Sequence, residues 1–184
     1  MRHPLRLLQA LTVFSAGLYA LFVFGGNLMD YNSNYEFVHH VLSMDTTFEG
    51  NALMWRAIES EVVHHIAYIG IIIFEGLFAA LGLIGGVKLF LNRDADAVAY
   101  NRARTWGYAA YGVGFLIWFV GFVIIGSEWF AMWQSEVWNG QAVAMNLTTI
   151  WAAFAVLLAM NEPAEVSAVA DGDRVVDRKG DAKK

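Results

Sequence analysis

Four long apolar stretches constrain this chain more than any other feature of its sequence. They cover residues 5–28, 62–87, 106–126 and 141–160. A hydrocarbon core about 30 Å thick needs about 20 apolar residues in each helical span. With 58% hydrophobic and 16% charged residues, the chain carries more apolar surface than one soluble core of this length can hide. We therefore predict an all-α fold, a four-helix transmembrane bundle.

The first stretch and the tail set the limits of the membrane domain. The run 5–28 is longer than the apolar core of a signal peptide and ends in Gly25-Gly26-Asn27-Leu28 rather than in a cleavage site, so we expect a retained span. After Pro163 the sequence mixes small and charged residues without apolar periodicity. The domain is therefore predicted to occupy residues 1–160, with a disordered cytoplasmic tail over 161–184.

The distribution of cations predicts the orientation, because loops rich in Lys and Arg stay in the cytoplasm. Of the twelve Lys and Arg residues, only Arg56 falls between spans one and two or between spans three and four. Both termini and the connection between spans two and three are thus expected to be cytoplasmic. The loops 32–61 and 127–140 are expected to face outward.

The first outward loop contains a second helical signal. Apolar residues recur there at helical spacing: Tyr35, Val38, Val41 and Leu42. This pattern predicts a short amphipathic helix that lies on the membrane surface and ends near the stretch 43–47.

Two spans each carry a stripe of polar or small residues on one helix face. In span two the stripe is Glu61, His65, Tyr68, Ile72, Glu75, Ala79, Gly82 and Gly86. In span three it is Gly107, Ala110, Gly114, Ile117, Gly121, Ile124 and Glu128. Such faces belong inside a bundle, because small residues let helices approach closely and polar groups need partners that lipid lacks. Antiparallel packing of the stripes would bring Gly82 and Gly86 to Gly107 and Ala110, and Glu128 to Glu61 and His65.

Histidines and acids gather on the outward side. The set is His39, His40, His64, His65, Glu61, Asp45 and Glu128. Imidazole and carboxylate together suit a transition metal. Haem ligation by His65 with another histidine is an alternative, and a hydrogen-bonded lid without cofactor is a third interpretation. A metal or haem here would make the chain a redox subunit.

Glu75 stands near the middle of span two. An ionised carboxylate at that depth costs about 2.5 kcal/mol or more, so we expect Glu75 to be protonated or hydrogen-bonded. Its partners are expected among Thr148, Thr149, Tyr111 and Trp118. Glu75 is interpreted either as a proton or ion relay of a small carrier or as a neutral carboxyl that holds helices in register.

Several kinds of chemistry are excluded. Zero cysteines exclude disulfides, thiolate metal sites, iron–sulfur ligation and covalent c-type haem. No nucleophile with an adjacent base, no glycine-rich phosphate loop and no nucleic-acid surface is visible. The sequence therefore favours a protein that is not an enzyme.

Two stretches carry a family resemblance. They are Asn27–Tyr31 with Asn34 and Phe37–Phe48, and Glu128–Ser135 with Trp138-Asn139-Gly140. The chain resembles the bacterial predicted small integral membrane proteins, a domain of unknown function, over most of residues 4–160. The resemblance implies a four-span protein of the bacterial inner membrane and carries no cofactor or site residues. Because its motifs lie mostly in the outward loops, it directs attention to the outer face.

The leading functional prediction is an accessory or scaffold subunit. Its aromatic outer surface, with Trp129, Trp133 and Trp138, would dock another membrane or periplasmic protein. The redox subunit and the Glu75 carrier are the alternatives.

Overall fold

The computed structural model describes residues 3–161, which are mostly helical with no strand among them. The helices are α1 (Pro4–Met29), α2 (Tyr31–Ser43), α3 (Glu61–Leu91), α4 (Ala97–Phe115) and α5 (Gln141–Ala159). A π-helix, Leu116–Trp129, continues α4 without a break. Four helical segments, with α4 and its continuation counted as one, are long and apolar enough to span a membrane. The predicted four-span all-α fold is confirmed, and the predicted tail lies outside the described residues.

Local signals explain where the helices begin and end. Pro4 occupies the first turn of α1, where its missing N–H costs nothing. The Asp96 carboxylate accepts a hydrogen bond from the Ala99 N–H at 2.8 Å and so caps the N-terminus of α4. Met44 adopts a left-handed conformation, with φ of 55°, directly after α2. That residue ends the amphipathic helix within the predicted stretch and turns the chain back over the bundle.

α1 and α3 pack against each other through glycine. A Cβ atom added to Gly82 would lie 2.5 Å from Gly17 Cα, and one added to Gly86 would lie 2.5 Å from Phe14 Cβ. The prediction that Gly82 and Gly86 meet Gly107 and Ala110 is therefore wrong. It failed because α1 also offers a small residue, Gly17, at the matching depth, and backbones approach wherever small residues face each other.

The buried faces of the two central spans agree in part with the predicted stripes. From Tyr68 to Gly86 the predicted face of α3 is buried, but at the end of the helix His64 is buried and His65 is exposed. On α4 the stripe is buried as far as Ile117, whereas Ile124 and Glu128 are exposed. The stripe fails there because a π-helix has wider turns, so residues three or four apart no longer share a face.

Side chains close the end of the bundle that contains the α3–α4 turn, here called the turn end. The Gln9 amide donates to the carbonyl oxygens of Leu157 at 2.8 Å and Met160 at 2.9 Å. The Arg6 guanidinium donates to the carbonyl oxygens of Arg93 at 2.9 Å and Ala95 at 2.7 Å. The Gln9 bonds thus join α1 to the C-terminal end of α5, and the Arg6 bonds join α1 to the α3–α4 turn.

The opposite end is covered by two connecting segments, residues 44–60 and 130–140, here called the lid. Thr46 Oγ1 donates to Ser135 Oγ at 2.9 Å, and Gln134 Oε1 accepts from the Asn51 amide at 3.1 Å. Apolar side chains from both segments, including Met44 and Met132, are buried between them. The lid is thus a packed element of the structure, held by both hydrogen bonds and apolar contacts.

The glycine contact between α1 and α3 gives a test of the fold. Gly82→Ala forces a methyl group into the backbone of Gly17 and should destabilise the protein by about 1–3 kcal/mol. Gly70→Ala is the matched control on the same helix, because a Cβ there meets nothing within 4 Å. Thermal unfolding in mild detergent measures both variants. Equal stability of the two variants would contradict the packing described here.

Candidate functional site

A cavity of about 350 Å³ lies between the spanning helices and the lid end of the bundle. Its walls come from α1, α2, α3, the π-helix and the start of α5. The polar residues in its lining are Asn27, Asn34, Tyr68, Glu75 and Asn139. This volume falls in the ~300–1,000 Å³ range of small-molecule sites. We call it the Glu75 cavity.

Glu75 is held by one residue of α1. The Asn27 amide donates a hydrogen bond to Glu75 Oε2 at 2.6 Å, and the side chain of Glu75 is only 4% exposed. The Tyr68 hydroxyl donates to the Asn27 carbonyl oxygen at 3.3 Å. Asn27 therefore connects the acid of α3 to α1 at a point where both helices border the cavity.

The described hydrogen bond of Glu75 comes from Asn27, and none of its predicted partners bonds to it: Thr148, Thr149, Tyr111 and Trp118. Thr148 Oγ1 donates instead to the Ala144 carbonyl oxygen, and Thr149 Oγ1 to that of Met145, each within α5. Trp118 does line the Glu75 cavity. A threonine hydroxyl inside a helix readily donates to the carbonyl oxygen four residues earlier. Because both threonines make this local bond, neither hydroxyl donates to Glu75.

The charge of Glu75 has no cationic partner within residues 3–161, where the ion pairs involve other side chains. An ionised carboxylate at membrane depth costs about 2.5–3.5 kcal/mol on insertion scales. An amide hydrogen bond offsets only part of such a cost. The charge of an ionised Glu75 would therefore not be balanced by the described part of the chain.

The rest of the cavity wall is largely aromatic. Phe37, Tyr68, Trp118 and Phe122 contribute rings. A second cavity, of about 410 Å³, lies on the other side of Phe37, Val38 and Phe122 and is lined by apolar residues. α2 thus lies between the Glu75 cavity, which has polar groups in its wall, and the apolar second cavity.

The histidines predicted to bind a metal form three separate contacts. His39 Nδ1 lies 3.0 Å from His64 Nδ1, and His40 Nδ1 lies 2.7 Å from Asp45 Oδ2. His65 instead stacks on Tyr35, with ring centroids 4.1 Å apart, and its Nδ1 lies 2.9 Å from the Tyr31 hydroxyl.

Of the seven predicted ligands, the structure brings three into one group. One ligand atom from each of His39, His40 and Asp45 lies within 4.8 Å of the other two. His64 touches this group, and Glu61 and Glu128 are not part of it.

The pKa of the neighbouring Tyr35 hydroxyl is raised by desolvation and then by the negative charge of Glu61.

The same contacts bear on the haem alternative. A haem held by two histidines needs them on opposite sides of the porphyrin. The haem prediction used His65 with another histidine, and His65 stacks on Tyr35 with its Nδ1 2.9 Å from the Tyr31 hydroxyl. The structure adds no support to the haem alternative, which stays a prediction.

The three tryptophans predicted to dock a partner differ in their surroundings. Trp129 and Trp133 are 47% and 46% exposed at the lid, next to Trp55 and Phe48 respectively. Trp138 is half-buried and stacks on the His40 ring, with ring centroids 4.7 Å apart. Only Trp129 and Trp133 form part of an exposed rim.

Sequence reasoning missed the amides of the cavity. Asn27 would have been found from the spacing of the buried residues of α1, since Val13, Ala16, Ala20 and Asn27 share one helix face. Asn34 and Asn139 lie in or beside the lid, and no helical period connects them to Glu75.

The comparison with known families agrees with this architecture. The family described as predicted small integral membrane protein (DUF2165) matches residues 5–161, and the chain belongs to it. No curated protein and no solved structure matches the chain.

The bond between Asn27 and Glu75 predicts an energetic coupling. Asn27→Leu leaves a buried carboxyl without its donor, whereas Asn27→Leu combined with Glu75→Leu removes both polar groups. Because unpaired buried polar groups cost more than apolar replacements of both partners, we expect a coupling energy of about 1–3 kcal/mol. Unfolding titrations of the four proteins measure it.

Asn34 provides the matched control for this cycle. Asn34 lines the same cavity but bonds to the Asp30 carbonyl oxygen rather than to Glu75. Asn34→Leu should therefore be additive with Glu75→Leu. Additivity of the Asn27 pair as well would show that the 2.6 Å bond does not hold Glu75.

Proposed function

We propose that this member of the predicted small integral membrane protein family binds a small cation inside the membrane and exchanges it for a proton at Glu75. The observation that carries the proposal is the buried carboxyl of Glu75, which accepts a hydrogen bond from the Asn27 amide and lines a cavity of ligand size. It has no cationic protein partner in the described part of the chain. Ionisable groups at this depth mark ion and proton sites in membrane proteins.

Competition between proton and cation follows from the electrostatics of the site. In a low-dielectric cavity the carboxylate is stable only when its charge is compensated. A proton and a cation each supply that compensation, and one carboxyl holds one of them at a time. Exchange of the two is the simplest use of such a group.

The lining of the cavity favours an organic cation over a bare metal ion. Na⁺ or Ca²⁺ needs several oxygen ligands around one point, whereas the described hydrogen bond of the Glu75 carboxyl is to the Asn27 nitrogen. The rings of Tyr68, Trp118 and Phe122 share the cavity wall with this carboxyl. Aromatic faces attract ammonium groups through their quadrupole and suit quaternary or tertiary amines. The substrate class is therefore a small amine with an apolar body.

Access to the cavity is proposed from the lid end. Asn34 of α2 and Asn139, which precedes α5, border the cavity there. The opposite end of the bundle is occupied by the Gln9 and Arg6 side chains and their carbonyl partners. A ligand that enters beside α2 reaches Glu75 without passing the turn end.

The lid end is proposed to face the periplasm of a bacterium, with the protein in the inner membrane and both termini cytoplasmic. Arg6, Lys88, Arg93, Arg102 and Arg104 surround the turn end, while the lid holds Arg56. This asymmetry fits the preference of cations for the cytoplasmic side.

Sidedness is tested with single cysteines, since the natural chain has none. Glu49→Cys places a thiol in the lid and Asp94→Cys places one in the α3–α4 turn, both at exposed positions. A membrane-impermeant maleimide added to intact spheroplasts should label Glu49→Cys and should label Asp94→Cys only after lysis. Labelling of Asp94→Cys in intact spheroplasts would reverse the proposed orientation.

Cation binding is tested with benzyltrimethylammonium, which combines a quaternary amine with an aromatic body. The purified protein in detergent should bind it more tightly as pH rises, because proton and cation compete for one carboxyl. Glu75→Gln keeps the shape of the side chain and removes the charge. We expect it to weaken binding about tenfold or more, equivalent to ~1.4 kcal/mol. Isothermal titration measures both effects.

Two controls make this experiment specific. Glu128→Gln removes an exposed acid at the lid end that does not line the cavity, and it should bind the probe as the natural chain does. Neopentylbenzene, the neutral analogue of the probe, should bind equally to the natural chain and to Glu75→Gln. Unchanged benzyltrimethylammonium affinity in Glu75→Gln would refute the proposal.

Docking of a partner subunit through the lid is the second candidate function. It is favoured by the half-exposed Trp129 and Trp133 and by Arg56, whose guanidinium lies over both the Trp55 and Trp129 rings. Tryptophan and arginine are enriched where proteins bind each other. Tryptophan also anchors helices in the lipid headgroup layer, and docking takes second place for that reason. The redox-subunit alternative stays a prediction.

A further inference from the structure

Two imidazoles and a carboxylate meet at the C-terminal end of α2. His39 and His40 lie in its last turn, and the left-handed Met44 turns the chain so that Asp45 returns to His40. Ligand atoms of the three residues lie within 4.8 Å of one another. We infer that His39, His40 and Asp45 bind a divalent transition-metal ion of the zinc type. This site is separate from the Glu75 carboxyl and does not depend on its proposed function.

The hydrogen bonds of His64 determine which nitrogen of His39 is available. His64 Nε2 lies 2.6 Å from the Ile58 carbonyl oxygen, which can only accept, so this nitrogen carries a proton. His64 is fully buried, and an imidazole ring that carries its proton on Nε2 accepts a hydrogen bond at Nδ1. Its Nδ1 consequently holds a lone pair.

That lone pair orients His39. His39 Nδ1 lies 3.0 Å from His64 Nδ1, so His39 must donate its Nδ1 proton there. His39 Nε2 then carries the lone pair that a metal ion needs. Metal-binding histidines commonly donate their other N–H to a carbonyl or carboxylate in this way, and that bond sets the tautomer. Here the chain from His39 through His64 to Ile58 provides the orienting acceptor.

The other two donors are also held in place. The His40 ring stacks on Trp138 with an interplanar angle of 16°. In the metal-free chain its Nδ1 donates a proton to Asp45 Oδ2 at 2.7 Å, and a bound ion would replace that proton and join the two atoms. Two imidazoles and one carboxylate form a donor set that zinc accepts, with a fourth position open to water. His39 and His40 are half-buried and Asp45 is exposed, so an ion reaches the site from the solvent side of the lid.

A metal at this position would act on the Glu75 cavity through α2. Phe37 and Val38 precede the two histidines on the same helix and form part of the cavity wall. An ion that joins the last turn of α2 to Asp45 would restrict the motion of this wall.

Zinc binding is tested with zinc chloride on the full chain in mild detergent. The protein carries a streptavidin-binding tag instead of polyhistidine and is first stripped with a chelator. Equilibrium dialysis should give one zinc per chain. Asp45→Asn, an isosteric change at an exposed position, should weaken binding about tenfold or more, and His39→Ala should do the same.

His65→Ala is the matched control, because His65 belongs to the same histidine-rich end but contacts Tyr31 and Tyr35. It should retain one zinc with the affinity of the natural chain. Circular dichroism confirms that each variant is folded before dialysis. No zinc above the detergent blank, or equal zinc retention by folded Asp45→Asn and His65→Ala, would overturn the inference.

Discussion

The close approach of α1 and α3 is the interaction on which the rest of the structure depends. Gly17 and Gly82 meet with no room for a side chain on either residue, and Gly86 meets Phe14 in the same way one turn further along α3. Lipid supplies no hydrophobic force between spans, so contact at backbone distance is the main source of attraction. This contact also sets the depth of α1 relative to α3, and Asn27 reaches Glu75 because of it.

The lid end follows from the same arrangement. α2 begins directly after α1, and its position over the bundle is determined where α1 ends beside α3. From there Phe37 and Val38 separate the polar and apolar cavities, and the last turn of α2 brings its histidines to His64 and Asp45. The Glu75 cavity and the group of His39, His40 and Asp45 therefore both depend on the position of α2. The acid lies inside the bundle, where it must be neutralised, and the imidazoles lie at its rim, where solvent reaches them.

Much of this architecture could be predicted from the sequence, because apolar length and helical period act locally. The four spans, the amphipathic helix and the buried face from Tyr68 to Gly86 all rest on such local signals. The helix that packs against this face could not be predicted, because both α1 and α4 offer a small residue, Gly17 and Gly107 respectively. The buried face in the outer part of span three was not predicted correctly, because the hydropathy pattern does not distinguish a π-helix from an α-helix.

The site was predicted less completely for a geometrical reason. Neighbouring residues on a helix point about 100° apart, so choosing between His64 and His65 requires the helix rotation to be known closely. Asp45 contacts His40 because Met44 adopts a left-handed backbone conformation, and a methionine in the sequence does not predict this conformation. The Asn27 bond could not be predicted because it depends on the contact of α1 with α3, and its two residues are 48 positions apart in sequence.

Infrared difference spectroscopy of Glu75 tests the proton–cation exchange most directly. Spectra of the natural chain and of Glu75→Gln are recorded in detergent before and after addition of benzyltrimethylammonium, at a pH where Glu75 starts protonated. We predict that the C=O band of a protonated carboxyl disappears on binding, that a carboxylate band replaces it, and that neither change occurs in Glu75→Gln. A carboxyl band that persists while the cation is bound would contradict exchange at Glu75.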